Sequence, residues 1–465
     1  MKKVIPYIIG ILIIGRIIPL TGCANIIPPG GGPRDSIPPV LVNVTPKDST
    51  TNFPGGRIVL TFNEYVEVNN LQENLVVSPL PKILPIIDAH LRTITIRIKD
   101  TLEPNTTYSL NFGKAIRDIN EGNELKNFKY IFSTGNTFDS LEFAGKVIVA
   151  ETGKADSTLI VVLHRNLDDS AVIKERPRYF AKVDAGGNFR FSNLPPETYA
   201  VYALEDAGGQ KKYLSKNQTF GFIDQDVKVS ENTPAVTIFA YKESKDTKSG
   251  TGTTTTAQTK TTDKVLRLST NLDNTLLDLL NDLEITFGLP LKVFDTTKLR
   301  FTNEVFETIQ GSKWTLDSTR RKAALDHQWI ENRGYNLIID KDFAEDSAGR
   351  KLVRNDTLAF RARRAADYGS LHLRFLNLDL VRHPVLQFVI GNEIRYSHVF
   401  TDRNVNIPLF APGDYDLRIL YDTNQNGKWD PGEFFGKHRQ PELVVPLSRK
   451  LNVKANWDNQ VDIAL

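Results

Sequence analysis

Short apolar runs, separated by polar and turn-forming residues, follow one another along most of this chain. Apolar residues occupy alternate positions from Thr93 to Ile98, and Ile58 to Phe62 and Tyr108 to Phe112 are similar runs. A period of two is typical of strands with one buried face, and the Asn, Asp, Gly and Pro residues between the runs indicate turns. Strong amphipathic helical segments are scarce. The pattern therefore predicts an all-β fold made of β-sandwiches.

Two internal repeats subdivide this pattern. The sequence Leu-Thr-Phe-Asn-Glu at 60–64 matches Glu-Ile-Thr-Phe-Gly at 284–288. In 195–206 and again in 412–422, a Pro-containing turn ends in Tyr, and an Asp follows seven residues after that Tyr. A turn that leads into a strand of fixed length explains this spacing. The repeats predict four tandem β-sandwich modules in which two types alternate.

Composition separates the predicted modules from the segments between them. Pro and Gly are dense in 28–33, and nine of the sixteen residues in 247–262 are Thr, so neither segment can bury much apolar area. The predicted organisation, in chain order, is a signal peptide at 1–22, a Pro/Gly tether at 23–37, a first module at 38–136, a second at 137–242, a Thr-rich linker at 243–264, a third module at 265–365 and a fourth at 366–465.

The N-terminus resembles a bacterial lipoprotein signal. Two lysines precede the apolar run Val4 to Gly15, whose twelve residues rise only about 18 Å as a helix, too little to cross a membrane. This is the pattern of a secretory signal. Leu-Thr-Gly-Cys at 20–23 resembles a lipobox, which implies cleavage before Cys23 and lipidation of its thiol. By the same resemblance, Ala24 favours a lipid anchor in the outer membrane, with the periplasmic or cell-surface face left open.

Composition and charge narrow the classes of function. With 40% apolar and 24% charged residues, the chain is globular. Lys and Arg total 58 against 55 Asp and Glu, and this near-balance argues against nucleic acid as a partner. Cys23 is the only cysteine, so the sequence excludes an intrachain disulfide and a cysteine-cluster metal site.

Several features of residues 38–136 occur together in one known family. They are a Pro-Pro start, the Thr-Phe-Asn-Glu strand, Leu-Glu-Pro-Asn-Thr-Thr-Tyr ending at Tyr108, an Asp…Gly-Asn-x-Leu turn and a Phe-Ser-Thr-Gly end. The segment resembles the bacterial Ig-like domain of the S-layer SbsA type, and 266–365 resembles it more weakly. A corner of this type is expected to aim the Tyr108 hydroxyl back onto the backbone, as in other sandwiches.

The second type of module resembles a different sandwich. Asp-Ala-Gly-Gly-Asn-Phe at 184–189 and the Leu-Pro-x-x-x-Tyr turn are similar to transthyretin-like or carboxypeptidase-regulatory-like domains, which implies that fold for 137–242 and 366–465. The whole chain resembles Gram-negative envelope lipoproteins with an N-terminal Ig-like domain. These resemblances imply architecture and no particular chemistry.

The segment 422–433 matches the twelve-residue calcium loop. Oxygen-bearing side chains stand at positions 1, 3, 5, 9 and 12, with Gly427 at position 6. This predicts a weak calcium site, with a dissociation constant on the order of 10⁻⁴–10⁻³ M. The alternative is a plain polar hairpin turn, since Asn-Gly and Asp-Pro-Gly are ordinary turn sequences. The candidate metal-site residues are Asp422, Asn424, Asn426, Lys428, Asp430 and Glu433.

Asp followed by Ser or Thr and then a small or aliphatic residue recurs along the chain. The pattern is similar to an O-glycan acceptor motif of some Gram-negative bacteria, and the alternative is that Asp-Ser and Asp-Thr simply favour turns. The predicted modified hydroxyls are those of Ser49, Thr101, Ser157, Ser318 and Thr357.

Recognisable catalytic motifs are missing from the sequence. The seven histidines form no His-Glu-x-x-His, and there is neither a Gly-x-Ser-x-Gly elbow nor a phosphate-binding Gly-x-x-x-x-Gly-Lys. Paired carboxylates of a glycoside hydrolase would leave no such motif, so a hydrolase is kept as the weakest hypothesis.

Two non-catalytic hypotheses carry more weight. The first is a lipid-anchored scaffold or accessory subunit at the outer membrane that binds other envelope proteins. The second is a surface glycan-binding protein that stacks sugars on exposed aromatic rings. Trp429 is the candidate for such a contact, because it lies in a polar loop whereas most Trp side chains of sandwiches are buried.

Overall fold

The computed structural model describes residues 34–244 and 265–465, and these are almost entirely β-structure. The chain divides into two compact units, with the division between Asp139 and Ser140. The first unit contains one sandwich module and the second contains the other three. The predicted all-β fold of tandem Ig-like β-sandwich modules is confirmed.

The first module places antiparallel sheets around one core. Its sheets have the strand orders β1-β2-β6-β5, β4-β7-β9 and β3-β8. A single short helix turn, α1 (Leu71–Asn74), lies between β3 and β4. The strands are β1 (Leu41–Thr45), β2 (Gly56–Phe62), β3 (Val66–Val68), β4 (Val76–Ser78), β5 (Ile86–His90), β6 (Thr93–Ile98), β7 (Thr107–Asn111), β8 (Ile116–Asp118) and β9 (Lys129–Ser133).

The second module packs a small sheet on a larger one. The small sheet has the order β13-β10-β17 with β10 and β17 parallel, and the larger has the order β12-β11-β14-β15 with β16 also paired to β14. The helix α2 (Ala171–Lys174) precedes β12. The strands are β10 (Leu141–Val149), β11 (Leu159–His164), β12 (Tyr179–Lys182), β13 (Asn188–Leu194), β14 (Thr198–Glu205), β15 (Phe220–Phe222), β16 (Val227–Lys228) and β17 (Val236–Ala240).

The third module repeats the plan of the first. Its sheets have the orders β18-β20-β24-β23, β19-β27-β25-β22 and β21-β26. The strands are β18 (Leu268–Thr270), β19 (Leu276–Leu277), β20 (Leu283–Phe287), β21 (Leu291–Phe294), β22 (Leu299–Asn303), β23 (Lys313–Leu316), β24 (Lys322–Asp326), β25 (Gly334–Ile339), β26 (Ala344–Asp346) and β27 (Asp356–Ala362), with 3₁₀ turns at Thr296–Lys298 and Ala365–Asp367.

The fourth module repeats the plan of the second. Its sheets have the orders β31-β28-β34, with β28 and β34 parallel, and β30-β29-β32-β33. The strands are β28 (Gly369–Leu376), β29 (Pro384–Ile390), β30 (Glu393–Val399), β31 (Asn404–Phe410), β32 (Gly413–Tyr421), β33 (Leu443–Val453) and β34 (Asp458–Ala464), with a 3₁₀ turn at Leu380–Arg382.

The alternation predicted from the internal repeats is confirmed by these strand orders. Phe62 at the end of β2 and Phe287 at the end of β20, which occupy the same place in the two matched sequences, are equally buried. The expected tyrosine corner is also present, because the Glu103 N–H donates to the Tyr108 hydroxyl at 2.9 Å. Tyr335 makes the same contact in the third module, where the Ile330 N–H donates to its hydroxyl at 3.1 Å.

The larger sheet of the second module is unusual because both of its faces are covered. Every residue of β11 and the six central residues of β14 are buried. Antiparallel sheets commonly leave one face in water and then alternate in polarity. One face of this sheet packs on the module's own core, which includes Tyr199 and Val201. The other face carries Tyr202 and contacts the fourth module, as described below.

Candidate functional site

A long loop connects β32 to β33, and we call its residues 422–442 the docking loop. Two buried carboxylates organise it. Asp422, 2% exposed, accepts hydrogen bonds from the backbone N–H groups of Asn426 (3.2 Å) and Gly427 (2.6 Å). Glu442, 7% exposed, accepts from those of Thr423 (2.7 Å) and Asp430 (3.0 Å). Burial raises the pKa of Glu442, and the Asp422 carboxylate raises it further.

The structure brings several of the predicted calcium ligands together by hydrogen bonds. The side-chain amides of Asn424 and Asn426 donate to Asp430 Oδ2, at 2.7 and 2.6 Å. The Lys428 N–H donates to Asn426 Oδ1 at 2.7 Å. Glu433, by contrast, forms an ion pair with Lys437 at 2.9 Å. In these contacts, the side-chain oxygens of Asn426, Asp430 and Glu433 accept from N–H groups of the same loop.

A carboxylate-rich metal centre is not found in the described residues. Across 34–244 and 265–465, no group of three or more His, Cys, Asp or Glu could hold a metal ion. Calcium would therefore need amide and carbonyl oxygens of the docking loop as well as its acids, as the twelve-residue template supposes. Calcium binding stays a prediction.

Trp429 is half-buried within the docking loop. Its ring packs against Val385, Leu420 and Val444, and its indole N–H donates to the Glu442 carbonyl at 2.7 Å. Trp457, 62% exposed and covered on one face by the Lys454 ammonium, offers much more open ring surface. A glycan contact at Trp429 stays a prediction.

The middle of the docking loop inserts Phe434 into the second module. The receiving surface, here called the aromatic cleft, lies on the outer face of the larger sheet. Phe434 is 1% exposed, and its ring lies 4.9–5.5 Å from those of the three central cleft residues. Phe435 stacks on a fourth, Tyr213, at 6.0 Å. The cleft residues are Tyr202, Tyr213, Phe220, Phe222 and Tyr241.

Glycine permits the close approach of the two modules. A Cβ atom at Gly432 would lie 2.6 Å from the ring of Tyr241, so any larger residue would push the docking loop out of the cleft. On the second module, Gly153 has a φ of +67°, and a Cβ there would lie 2.3 Å from Pro446. Backbone pairing continues the contact, because the Val444 N–H donates to the Ala150 carbonyl at 2.9 Å.

Polar contacts surround the buried phenylalanine. His438 Nε2 lies 2.6 Å from Asp169 Oδ2, and the Gln440 side-chain amide donates to Asp224 at 2.8 Å. The Phe434 N–H donates to the Glu243 carboxylate at 3.2 Å. An apolar centre with a polar rim is the usual anatomy of a specific protein interface.

Burial changes the acid–base behaviour of the second module. His164, at the end of β11, is buried with its ring 5.9 Å from Tyr202. Within the described residues its Nε2 has no hydrogen-bond partner. Burial lowers the pKa of His164 to about 4, so the side chain is neutral near pH 7. The pKa values of Tyr202, Tyr213 and Tyr241 are raised, chiefly by burial.

The predicted modification sites are accessible where the structure describes them. Cys23 lies outside the described residues, and its lipidation stays a prediction. The proposed O-glycan acceptors are all exposed, and their modification also stays a prediction: Ser49, Thr101, Ser157, Ser318 and Thr357.

Turn chemistry accounts for several of the Asp-Ser and Asp-Thr sequences. Asp156 Oδ1 accepts from both the N–H and the hydroxyl of Thr158, at 2.9 and 2.7 Å. Asp295 does the same with Thr297, at 3.1 and 2.6 Å. A carboxylate that binds the backbone two residues ahead forms an Asx turn.

Comparison with known proteins agrees with the architecture. The fold defines a protein of tandem β-sandwich modules. Residues 35–134 match the family model described as a bacterial Ig-like domain, so the first module is of that kind. No curated protein matches the chain. No helix among residues 34–244 and 265–465 is long and apolar enough to span a membrane.

Solved structures with similarity to this chain are distant. The Bacillus anthracis TIE protein is 9% identical, with 94% of this chain and 75% of that one covered at a TM-score of 0.17. BcpA, the major pilin subunit of Bacillus cereus, is 10% identical, with 70% and 98% covered at 0.16. The S-layer protein rSbsC(31-844) is 10% identical, with 90% and 67% covered at 0.16.

Proposed function

We propose that this chain is a non-catalytic, lipid-anchored scaffold of the outer membrane that presents a rigid surface to other envelope proteins. The observation that carries the proposal is the insertion of Phe434 into the aromatic cleft. It joins the second and fourth modules. The residues in contact, such as Phe222 and Phe434, are more than 150 positions apart in the sequence. A scaffold needs fixed geometry between its modules, and a buried aromatic anchor provides it.

A second junction supports the same proposal. The Tyr368 hydroxyl, between the third and fourth modules, donates to Asp278 at 2.7 Å and accepts from the Leu279 N–H at 2.8 Å. The fourth module is thereby tied to both modules that precede it in the second unit. The lipobox-like sequence ending at Cys23 would supply the anchor, since several acyl chains on one residue hold a protein firmly to a membrane.

Fractionation tests the anchor. We expect the wild-type protein in the outer-membrane fraction and the Cys23→Ala variant in the soluble fraction. Cys23→Ala protein that stays with the membrane would contradict the lipid anchor.

Affinity capture tests the scaffold. The tagged, lipidated chain is purified from detergent-solubilised membranes in calcium-containing buffer, and its co-purifying proteins are quantified by mass spectrometry. We expect a membrane protein in near-stoichiometric amount that is lost from a Phe434→Ala variant. Recovery of the wild-type chain alone would contradict the scaffold.

The exposed ring of Trp457 favours a second candidate function, the binding of a surface glycan. An open indole face suits stacking on a sugar ring. Quenching of tryptophan fluorescence by purified surface polysaccharide, absent from Trp457→Ala but present in Trp429→Phe, would support glycan binding at Trp457. Quenching absent only from Trp429→Phe would instead support the contact predicted from the sequence.

A further inference from the structure

A groove of about 340 Å³ lies where the second module meets the outer face of the fourth module's larger sheet. The second module contributes the turn at Thr152–Lys154, and the fourth contributes β32, β33 and the tip of the β29–β30 hairpin. Sites for small ligands and peptide groups occur preferentially at such junctions between domains. The residues that line the groove include three cations and one anion: Lys154, Arg418, Lys450 and Asp416.

Arg418 is held in place from below. Its Nε donates to the side-chain oxygen of Gln387 at 2.7 Å, and Gln387 is only 2% exposed. Burial lowers the pKa of Arg418, opposed by the charge of Glu151. In the described part of the chain, no carboxylate oxygen forms an ion pair with this guanidinium within 4.0 Å, and the groove's own carboxylate, Asp416, pairs with Lys450. Arg418 therefore lines the groove as a cation that has Glu151 in its electrostatic surroundings but makes no ion pair among the described residues.

Lys154 brings a second such cation from the other module. It is exposed, and among residues 34–244 and 265–465 its ammonium also has no carboxylate within 4.0 Å. Lys450 differs, because it pairs with Asp416 at 3.2 Å. Among the described residues, the groove is thus lined by two cations that form no ion pair within 4.0 Å, one from each module.

We propose that this groove binds a carboxylate of an acidic segment in a partner polypeptide, with Arg418 and Lys154 as its cationic contacts. A guanidinium fixed through Nε can offer two parallel N–H groups to one carboxylate. The lining also includes Val389, Pro446 and Leu447 but no aromatic ring, which suits aliphatic peptide side chains better than a stacked sugar. The proposal rests on the proposed function, since the carboxylate belongs to a protein that the scaffold holds.

A fluorescent peptide tests the site directly. The full-length protein in detergent is titrated into a capped tetraglutamate peptide, with capped tetraglutamine as its neutral control, and anisotropy is recorded at low salt. We expect tetraglutamate to bind and tetraglutamine not to bind. Arg418→Gln should weaken binding about tenfold or more, and Lys154→Gln about threefold, because each removes one charge-assisted contact.

Matched variants separate this site from general surface charge. Arg395→Gln removes an exposed arginine from β30 of the same sheet, away from the groove, and should leave binding unchanged. Equal weakening by Arg395→Gln and Arg418→Gln would overturn the proposal, as would equal binding of the two peptides. Arg418→Gln is first compared with the wild type by thermal unfolding. If the Arg418→Gln variant is unfolded, the exposed Lys154 is tested instead. Unchanged tetraglutamate binding by Lys154→Gln then overturns the proposal.

A sugar acid distinguishes the source of the carboxylate. Trigalacturonate that binds more tightly than tetraglutamate, and does so through Arg418, would overturn the assignment to a polypeptide. Affinity capture separates the groove from the scaffold function. A partner captured equally by wild-type and Arg418→Gln protein overturns the groove alone, whereas a wild-type chain that captures no partner overturns the scaffold.

Discussion

The second and fourth modules carry loops at equivalent positions of their sheets, and these two loops contact each other. Each begins with Asp directly after a long strand, at Asp206 in the second module and Asp422 in the fourth. In the second module, Lys211 closes the loop on Asp206, through its N–H at 2.8 Å and its ammonium at 3.3 Å. That loop stays on its own module and contributes Tyr213 to the aromatic cleft.

The docking loop is closed differently and extends further. Asp422 and Glu442 bind backbone N–H groups, and the segment between them extends to the second module. The two loops then meet directly where Phe435 stacks on Tyr213. The repeated sandwiches thus keep their strand plan, while the longer loop of the fourth module carries many of the contacts that join it to the second.

Removal of the Phe434 ring is the most severe test of this comparison. We expect Phe434→Ala to lower the free energy of unfolding by about 3–5 kcal/mol, the usual cost of deleting a buried phenylalanine side chain. Urea unfolding measures the loss. Hydrogen exchange should show that the strand carrying Tyr202 and the docking loop become less protected together.

The neighbouring Phe435 is the matched control. It is only half-buried, so Phe435→Ala should cost clearly less than Phe434→Ala. Equal effects of the two substitutions would mean that the cleft does not select Phe434 as its anchor.

Acidification should destabilise the second module through His164. His164 has an ordinary pKa of about 6.5 when unfolded and about 4 when folded. As the pH falls below 6.5, the unfolded chain takes up the proton first, so stability is full above this pH and declines toward pH 4. The loss from this one group is about 3 kcal/mol at most.

Comparison with a variant isolates the contribution of His164. The free energy of unfolding of the wild type, measured by urea from pH 7 to pH 4, should fall more steeply than that of His164→Phe. Carboxylates contribute equally to both curves and cancel. Parallel curves would show that His164 does not control the acid sensitivity of the second module.

The sequence correctly predicted those structural features that depend on residues close together along the chain. Alternating apolar positions locate strands such as β2 and β6, and the corner at Tyr108 follows from the residues directly before it. The alternation of module types also follows, because it needs only matched segments such as those that contain Phe62 and Phe287.

Contacts between segments that are far apart in the sequence were not predicted. Nothing local indicates that Phe434 packs on Phe222, although two adjacent phenylalanines in an otherwise polar loop were a usable signal. The uninterrupted apolar run of β14 was a second signal, since it indicates a strand buried on both faces. Glu442 was missed because the calcium template ends at position 12, and Glu442 lies beyond it.

Substitution of Glu442 in the docking loop and of Lys211 in the loop of the second module tests how strongly each side chain stabilises its own loop. Glu442→Gln keeps the shape of the side chain but weakens its bonds to the N–H groups of Thr423 and Asp430, so we expect a loss of about 1–3 kcal/mol. Lys211→Met, which opens the loop of the second module, should cost less because the Lys211 N–H still binds Asp206. Both values come from urea unfolding. A larger loss for Lys211→Met would reverse the proposed order of the two loops.

Calcium has the smallest expected effect, and it separates the two interpretations of the docking loop. With a dissociation constant near 1 mM, 10 mM calcium would stabilise the protein by about 1.4 kcal/mol. Thermal unfolding in calcium and in an equal concentration of magnesium measures this shift, and Asp422→Asn should abolish it. Because the N–H groups of Asn426 and Gly427 already bind Asp422, the loop keeps its shape without an ion. If the wild-type protein unfolds at the same temperature in both salts, the segment 422–433 is a turn whose carboxylates bind only N–H groups.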